Sequence, residues 1–403
     1  MFYNEPRRLP DIARPARPLN GAADATLCAP IHRRVVLCYR ACMLKVKDPV
    51  DLQRVRHVLV TKLRHHGDVL LTSPVFSVLK GHAPHLEIDA LVYADTAAML
   101  TGNPAVSRVF GVDRGWKSLG VLDQGRAEWS LLQQLRRREY DLLIHLSEHP
   151  RGAWLARLLG PRYRVAADYP RVRGWWKASF SHLYPLPKNG RRHVVELNLD
   201  ALRRIGLQPG EQERGLSFVP GGEAERDVAR MLAELGLAPG GYIHVHPASR
   251  WQFKCWPAEK TAELIDQLQA LGERVVVSAA PDADELDLVG RIRALAATPF
   301  ADVSGKLTLK QLGALTRHAR LFIGVDSAPM HIASAMGTPV VALFGPSGEF
   351  NWGPWQVPHR VLASDHTCRP CGNDGCGGGK VSECLTTLPV SAVLQAVQAL
   401  QPR

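Results

Sequence analysis

The sequence predicts an α/β protein made of two doubly wound, Rossmann-like domains facing each other across a cleft. Three observations point to this. The chain has 403 residues, and at roughly 100–200 residues per domain two cores are expected. Short β-branched runs alternate with longer amphipathic segments in both halves, the pattern of a parallel sheet covered on both faces. Polar, charged loops follow several of these runs, at the strand ends where open α/β sheets hold their ligands.

In the first half, residues 57–62 read as a buried strand and are followed by a polar loop containing Gly67 and Asp68. An apolar helix then reaches residue 80. Pro74 either occupies its first turn after a Ser73 cap or kinks a helix begun near Asp68. Strands follow at 87–93, 106–112 and 141–146, with helices at 95–100, 126–138 and 193–205. Residues 206–222 read as a linker. The second half places strands at 242–245, 274–278, 321–325 and 339–344, and helices at 257–271, 284–295, 309–318, 327–336 and 390–400. The domains are therefore drawn at 55–215 and 216–403. Residues 1–54, rich in Pro and Arg, form a flexible basic extension. Met43 is an alternative start within it, and Cys28, Cys38 and Cys42 receive no role.

Composition narrows the function classes. No run of about 18 apolar residues occurs, so no membrane span is expected. The N-terminus scatters arginines among prolines without an apolar signal core, which makes the cytoplasm the default location. The formal charge of +12 suits an anionic partner. Nucleic acid is not favoured, because no finger, RNA-binding strand motif or basic zipper occurs.

Three segments could carry chemistry. In the first, "KLRHHGDVLLTSPV", Gly67 permits a positive φ or a close approach to ligand. Asp68 beside it is open to two roles, a helix-start acid or a general base for an acceptor hydroxyl. Arg64, His65 and His66 suit an anionic or hydroxyl-rich acceptor. The second, "HPASRWQFKCWP", offers Ser249 and Lys254 as phosphate ligands, against the alternative of an ordinary basic loop. In the third, Asp326 sits in the N-cap place, Ser327 opens a helix with Pro329 in its first turn, and His331 stands close by. The free N–H groups of such a turn attract an anion.

Together "KLRHHGDVLLTSPV", "HPASRWQFKCWP" and "GVDSAPMHIASAMGTPVVALFGPSGEFNWGPW" resemble the heptosyltransferases of glycosyltransferase family 9, in order and spacing over residues 55–400. The form "SRWQFKCW" and the late cysteines are most similar to the heptosyltransferase III branch. The resemblance implies a GT-B fold, with acceptor held by the first domain and donor by the second. It implies ADP-heptose as donor substrate, no cofactor, and a phosphorylated lipopolysaccharide core acceptor reached by peripheral contact with the cytoplasmic face of the inner membrane. Asp68 then matches a catalytic base, and Lys254 and Ser249 contact the donor diphosphate. Asp326 lies near the heptose, and Ser327, Ala328 and Met330 line the diphosphate by backbone with His331 alongside. Asp284 or Glu285 meets the ribose. Rival readings are a different donor such as a UDP-hexose, an earlier core acceptor, or a non-catalytic binder of anionic glycolipid.

Metal is not expected in catalysis. The one D-x-D, Asp282-Ala283-Asp284, reads as helix-start acids. Cys368, Cys371, Cys376 and Cys384, spaced C-x2-C-x4-C-x7-C among glycines, leave structural zinc, packed reduced thiols or a disulfide open.

Overall fold

A computed structural model describes residues 46–188 and 190–400. Met43 and the three early cysteines lie outside the described residues. Two six-stranded parallel sheets form the framework. The front sheet contains β1 (His57–Lys62), β2 (Glu87–Tyr93), β3 (Arg108–Val112), β4 (Leu142–His145), β5 (Tyr163–Asp168) and β6 (His182–Pro185). The back sheet contains β7 (Ile243–His246), β8 (Val275–Val277), β9 (Ala301–Asp302), β10 (Leu321–Val325), β11 (Val340–Leu343) and β12 (His359–Leu362).

The front order is β3-β2-β1-β4-β5-β6, and the back order β12-β11-β10-β7-β8-β9 is the same winding repeated. In each sheet the order reverses between the first and fourth strands in sequence. Helices diverge there, and a crevice opens beyond the strand carboxyl ends. Central strands are buried on both faces, so Val58–Val60 of β1 and all of β10 are continuous apolar runs, while β7 alternates Ile243 and Val245 with the buried His244 and His246. Val58 pairs with Ile88 and Leu142, and Ile323 with Val245 and Val341.

Several expectations are refined. The apolar segment after β1 is two helices, His66–Leu70 and Ser73–His82. Pro74, near the start of the second, has no N–H for a continuous helix to use. The helix expected at 126–138 starts earlier, spanning Val121–Arg136. Between residues 149 and 192 the sequence marks no element, yet helix Pro150–Leu159 and strands β5 and β6 lie there. Asp282 caps helix Ala283–Leu295 by accepting from Asp284 N at 3.1 Å, the helix-start role expected of it.

Residues 46–54, assigned by composition to a flexible extension, belong to the front lobe. Val50 N donates to Ile205 O at 3.0 Å, and Asp48 pairs with Arg204 at 2.8 Å. Val50 and Val55 are buried in the front core. Composition misses this because two valines and one carboxylate, each with a distant partner, do the anchoring. The two lobes also share apolar packing: Phe218, Leu312 and Ile332 join the front core cluster. Val50→Ala should lower unfolding free energy by about 1–2 kcal/mol in urea titration, whereas a dispensable extension would leave it unchanged.

Candidate active site

A cleft of about 630 Å³ opens where the carboxyl end of β1 meets those of β7 and β10. Asp68, Ser249, Lys254, Glu285, Asp326, Ser327, Ala328, His331, His65 and His66 all line it. Arg64 does not: it is exposed beside the cleft, its carbonyl accepting from Arg114 at 3.0 Å. Met330 does not either. Its side chain is wholly buried among Phe322 and Phe344, and its N–H donates to Ser327 O at 3.2 Å. The helical period turns Met330 to the core while leaving Ser327 and Ala328 on the cleft.

Asp68 lies in the first turn of helix His66–Leu70, which packs on helix Ala328–Met336 of the back lobe. Gly67 is helical, so the expected positive φ is not used. The close approach is real, but its partner is the His331 ring: a Cβ at position 67 would stand 2.8 Å from His331 Cδ2. His65 meets Trp251 edge-on across the same gap, with centroids 6.4 Å apart. His66 bonds Asp95 O at 2.9 Å.

Lys254 Nζ donates to Asp326 Oδ2 at 2.6 Å. Asp326 is 6% exposed, with the Lys254 ammonium as its ion-pair partner. It therefore does not cap the helix; Ser327 holds the N-cap place with extended backbone and makes no side-chain cap bond. An ammonium carries three donors, so Lys254 retains two for a ligand. Ser249 is buried at the cleft wall, and its Oγ accepts from Trp251 N at 3.3 Å.

A polar relay runs beneath the far end of the cleft. Thr316 Oγ1 donates to Leu312 O at 2.7 Å, so it accepts from His244 Nδ1 at 3.0 Å. His244 Nε2 then accepts the Ser278 hydroxyl at 2.7 Å, and Ser278 Oγ accepts from His246 Nδ1 at 2.8 Å. Burial holds both rings neutral, near pKa 3 for His244 and 4 for His246. This assignment turns the His246 Nε2 lone pair toward Glu285, 3.9 Å away. Glu285 accepts from Ala280 N at 2.9 Å, and burial raises its pKa. Of the two acids considered for this end, Glu285 lines the cleft and Asp284 does not. His331 is also held neutral by burial, near pKa 4, and its Nδ1 is buried without a hydrogen-bond partner.

Lys62 is the residue the sequence reading overlooks. At the end of β1 it is 7% exposed and donates to Leu146 O at 2.9 Å and Asn198 Oδ1 at 3.2 Å. Asn198 in turn donates to Leu71 O at 2.9 Å, at the break between the two helices after β1. Burial pushes the Lys62 ammonium down to about 8, while the Asp68 charge opposes the shift. A lysine on a buried strand followed by an acid six residues on was the available signal. The late cysteines are free thiols: Cys384 is buried and the other three are exposed. Among the described residues, no three His, Cys, Asp or Glu side chains come together as a metal-ligating group.

Twin doubly wound sheets with a polar cleft between their strand ends are the architecture of GT-B glycosyltransferases. A family model for "Glycosyltransferase family 9 (heptosyltransferase)" matches residues 128–381. Lipopolysaccharide heptosyltransferase 3 of Escherichia coli K12 is 39% identical over 295 residues, covering 73% of this chain and 83% of that protein. A second E. coli lipopolysaccharide heptosyltransferase 3 is 36% identical, covering 84% of this chain and 98% of that protein. The structure of E. coli ADP-heptose lipopolysaccharide heptosyltransferase II superposes with a TM-score of 0.67 at 20% identity, over 86% of this chain and 98% of that one. The chain belongs to glycosyltransferase family 9.

The Lys62 geometry leads to a pH test. The folded-state pKa lies below the usual lysine value of 10.5, so the unfolded chain binds more protons and folded stability rises across that window. Over the same window Asp68 loses its nearby cation. Glycosyl transfer should fall as pH rises through about 8 while the melting temperature does not fall. Lys62→Met should lower kcat about tenfold and lack that alkaline limb. A limb unchanged in the variant would separate Lys62 from Asp68.

Proposed function

We propose that this glycosyltransferase transfers heptose from ADP-heptose to the inner core of lipopolysaccharide, with inversion and without a metal ion. The observation that carries the reading is the single cavity shared by Asp68, from the front lobe, and Lys254 and Asp326, from the back lobe. Family membership and the two heptosyltransferase 3 relatives support the heptose and the lipopolysaccharide core. The ADP-heptose donor is carried over from the name of the E. coli ADP-heptose lipopolysaccharide heptosyltransferase II, whose fold this chain shares.

In this reading residues 55–215 receive the acceptor and residues 216–403 the donor. The Asp68 carboxylate takes the proton of an acceptor hydroxyl as that oxygen attacks the anomeric carbon. The bond from that carbon to the diphosphate breaks with its electron pair, and ADP departs. Lys254 and the amides at Ser327 and Ala328 meet the charge gathering on the diphosphate. They take the place a divalent cation would fill in a metal-dependent transferase. Asp326, held by Lys254, orients the sugar. Glu285 and the His246 lone pair meet hydroxyl or amino donors of the nucleoside. Hinge closure expels water that would hydrolyse the donor. The acceptor is membrane-anchored, so the protein works by peripheral contact with the cytoplasmic face of the inner membrane.

Asp68→Asn should lower kcat by about 10²–10⁴ with little change in ADP-heptose binding; near-normal turnover would remove Asp68 from the chemistry. Lys254→Ala should reduce kcat/KM by roughly 10² or more and weaken ADP as well. In thermal shift, ADP should stabilise the protein and UDP should not, the reverse result assigning a different donor class. Mass spectrometry of defined core acceptors incubated with ADP-heptose tests the whole reading, through the added heptose mass.

A further inference from the structure

Exposed large apolar side chains concentrate on one face of the front lobe. On helix Val121–Arg136, Val121, Leu122 and Trp129 are 87%, 77% and 57% exposed. Trp154 and Leu158 on helix Pro150–Leu159, and Trp175 on the turn Gly174–Lys177, add to them. The three helices lie side by side. Their inner residues, among them Leu135, Ala156 and Trp176, pack in one core cluster. Arg136 donates to Leu158 O at 3.3 Å, Arg151 pairs with Glu128, and the Trp154 and Trp175 rings stand 5.3 Å apart. The exposed side chains therefore share one continuous surface.

Spacing and charge say what that surface meets. Leu122, Arg126, Trp129 and Arg136 follow at i, i+4, i+7 and i+14, one stripe of a helix. Arg151, Trp154 and Leu158 repeat the mixture at i, i+3 and i+7. Residues 114–177 hold thirteen Arg and Lys against six Asp and Glu. Arg136, Arg157, Arg171 and Arg173 have no carboxylate partner among the described residues. Arg126 and Arg151 are paired, with Asp123 and Glu128, but tryptophan and leucine beside a surplus of arginine is the composition that sits at a lipid interface. A second copy of the chain is disfavoured, because pairing this face with itself opposes like charges. In a parallel sheet each helix begins at a strand's carboxyl end, so Val121 and Leu122 lie toward the same end of the sheet as Asp68.

We propose that this face docks on an anionic phospholipid bilayer, the tryptophans and Leu122 entering the headgroup boundary and the arginines binding lipid phosphates. It deepens the peripheral membrane contact of the proposed reaction by naming the surface, and it rests on that reading only for its purpose. The test is flotation of the full chain with vesicles of phosphatidylcholine, with or without phosphatidylglycerol. Neither donor nor acceptor is present, so failure of the transfer reading cannot produce failure here. Wild-type protein should bind only the phosphatidylglycerol vesicles, and less at high salt. Leu122→Ser/Trp129→Ser and, separately, Arg171→Glu/Arg173→Glu should each lower partition about tenfold or more. Both should keep the wild-type melting temperature and its turnover of a lipid-free acceptor. Equal binding by both variants, or equal binding to neutral vesicles, would overturn the proposal. So would a wild-type dimer in light scattering that the variants abolish, which would assign the face to self-association.

Discussion

The contact of Gly67 with the His331 ring sets how near the two lobes come, and the site depends on that distance. With hydrogen at position 67, helix His66–Leu70 can lie on helix Ala328–Met336; a methyl group would stand 2.8 Å from the imidazole. Asp68, the next residue, is thereby brought to the cleft that Ser327 and Ala328 also line. A glycine that looked like a loop feature is a packing feature. Its lack of a side chain is used for proximity, with an ordinary helical backbone.

Around that contact the charges are few and held by distinct means. Lys254 and Asp326 form an ion pair at 2.6 Å in a mostly buried place. Lys62 is bound only to oxygens that carry no charge, so its ammonium leans on Asp68 for compensation. His244, His246 and His331 are held neutral by burial. Neutral imidazoles line the cleft without adding cations, so its positive charge comes from Lys254, Arg250 and backbone amides.

The strongly basic front lobe then has two surfaces of different character. At the strand ends, histidines and Asp68 border the cleft. On the outer helices, arginines alternate with exposed tryptophans at helical spacing. Neither surface is separable from the other, because the parallel winding directs the starts of those helices toward the end of the sheet that carries Asp68.

Much of this was legible in the residues. Apolar, β-branched runs marked the middle of β1 and all of β10, because strands buried on both faces are mostly apolar. Strands β5 and β12 escaped notice because Arg164 and Arg360 interrupt them, and sheet margins tolerate such residues. Asp68, Lys254 and Asp326 stood out because each follows a strand, where such folds keep their ligands. The sequence by itself thus determined two wound sheets and the loops able to bear the chemistry, since period and strand-end position are local properties. Only the tertiary structure decided that Asp326 pairs with Lys254 instead of capping a helix, that Met330 faces the core, and that Lys62 reaches Asn198, 136 positions away. Those outcomes depend on which distant groups share a buried space, and no short window of sequence records that.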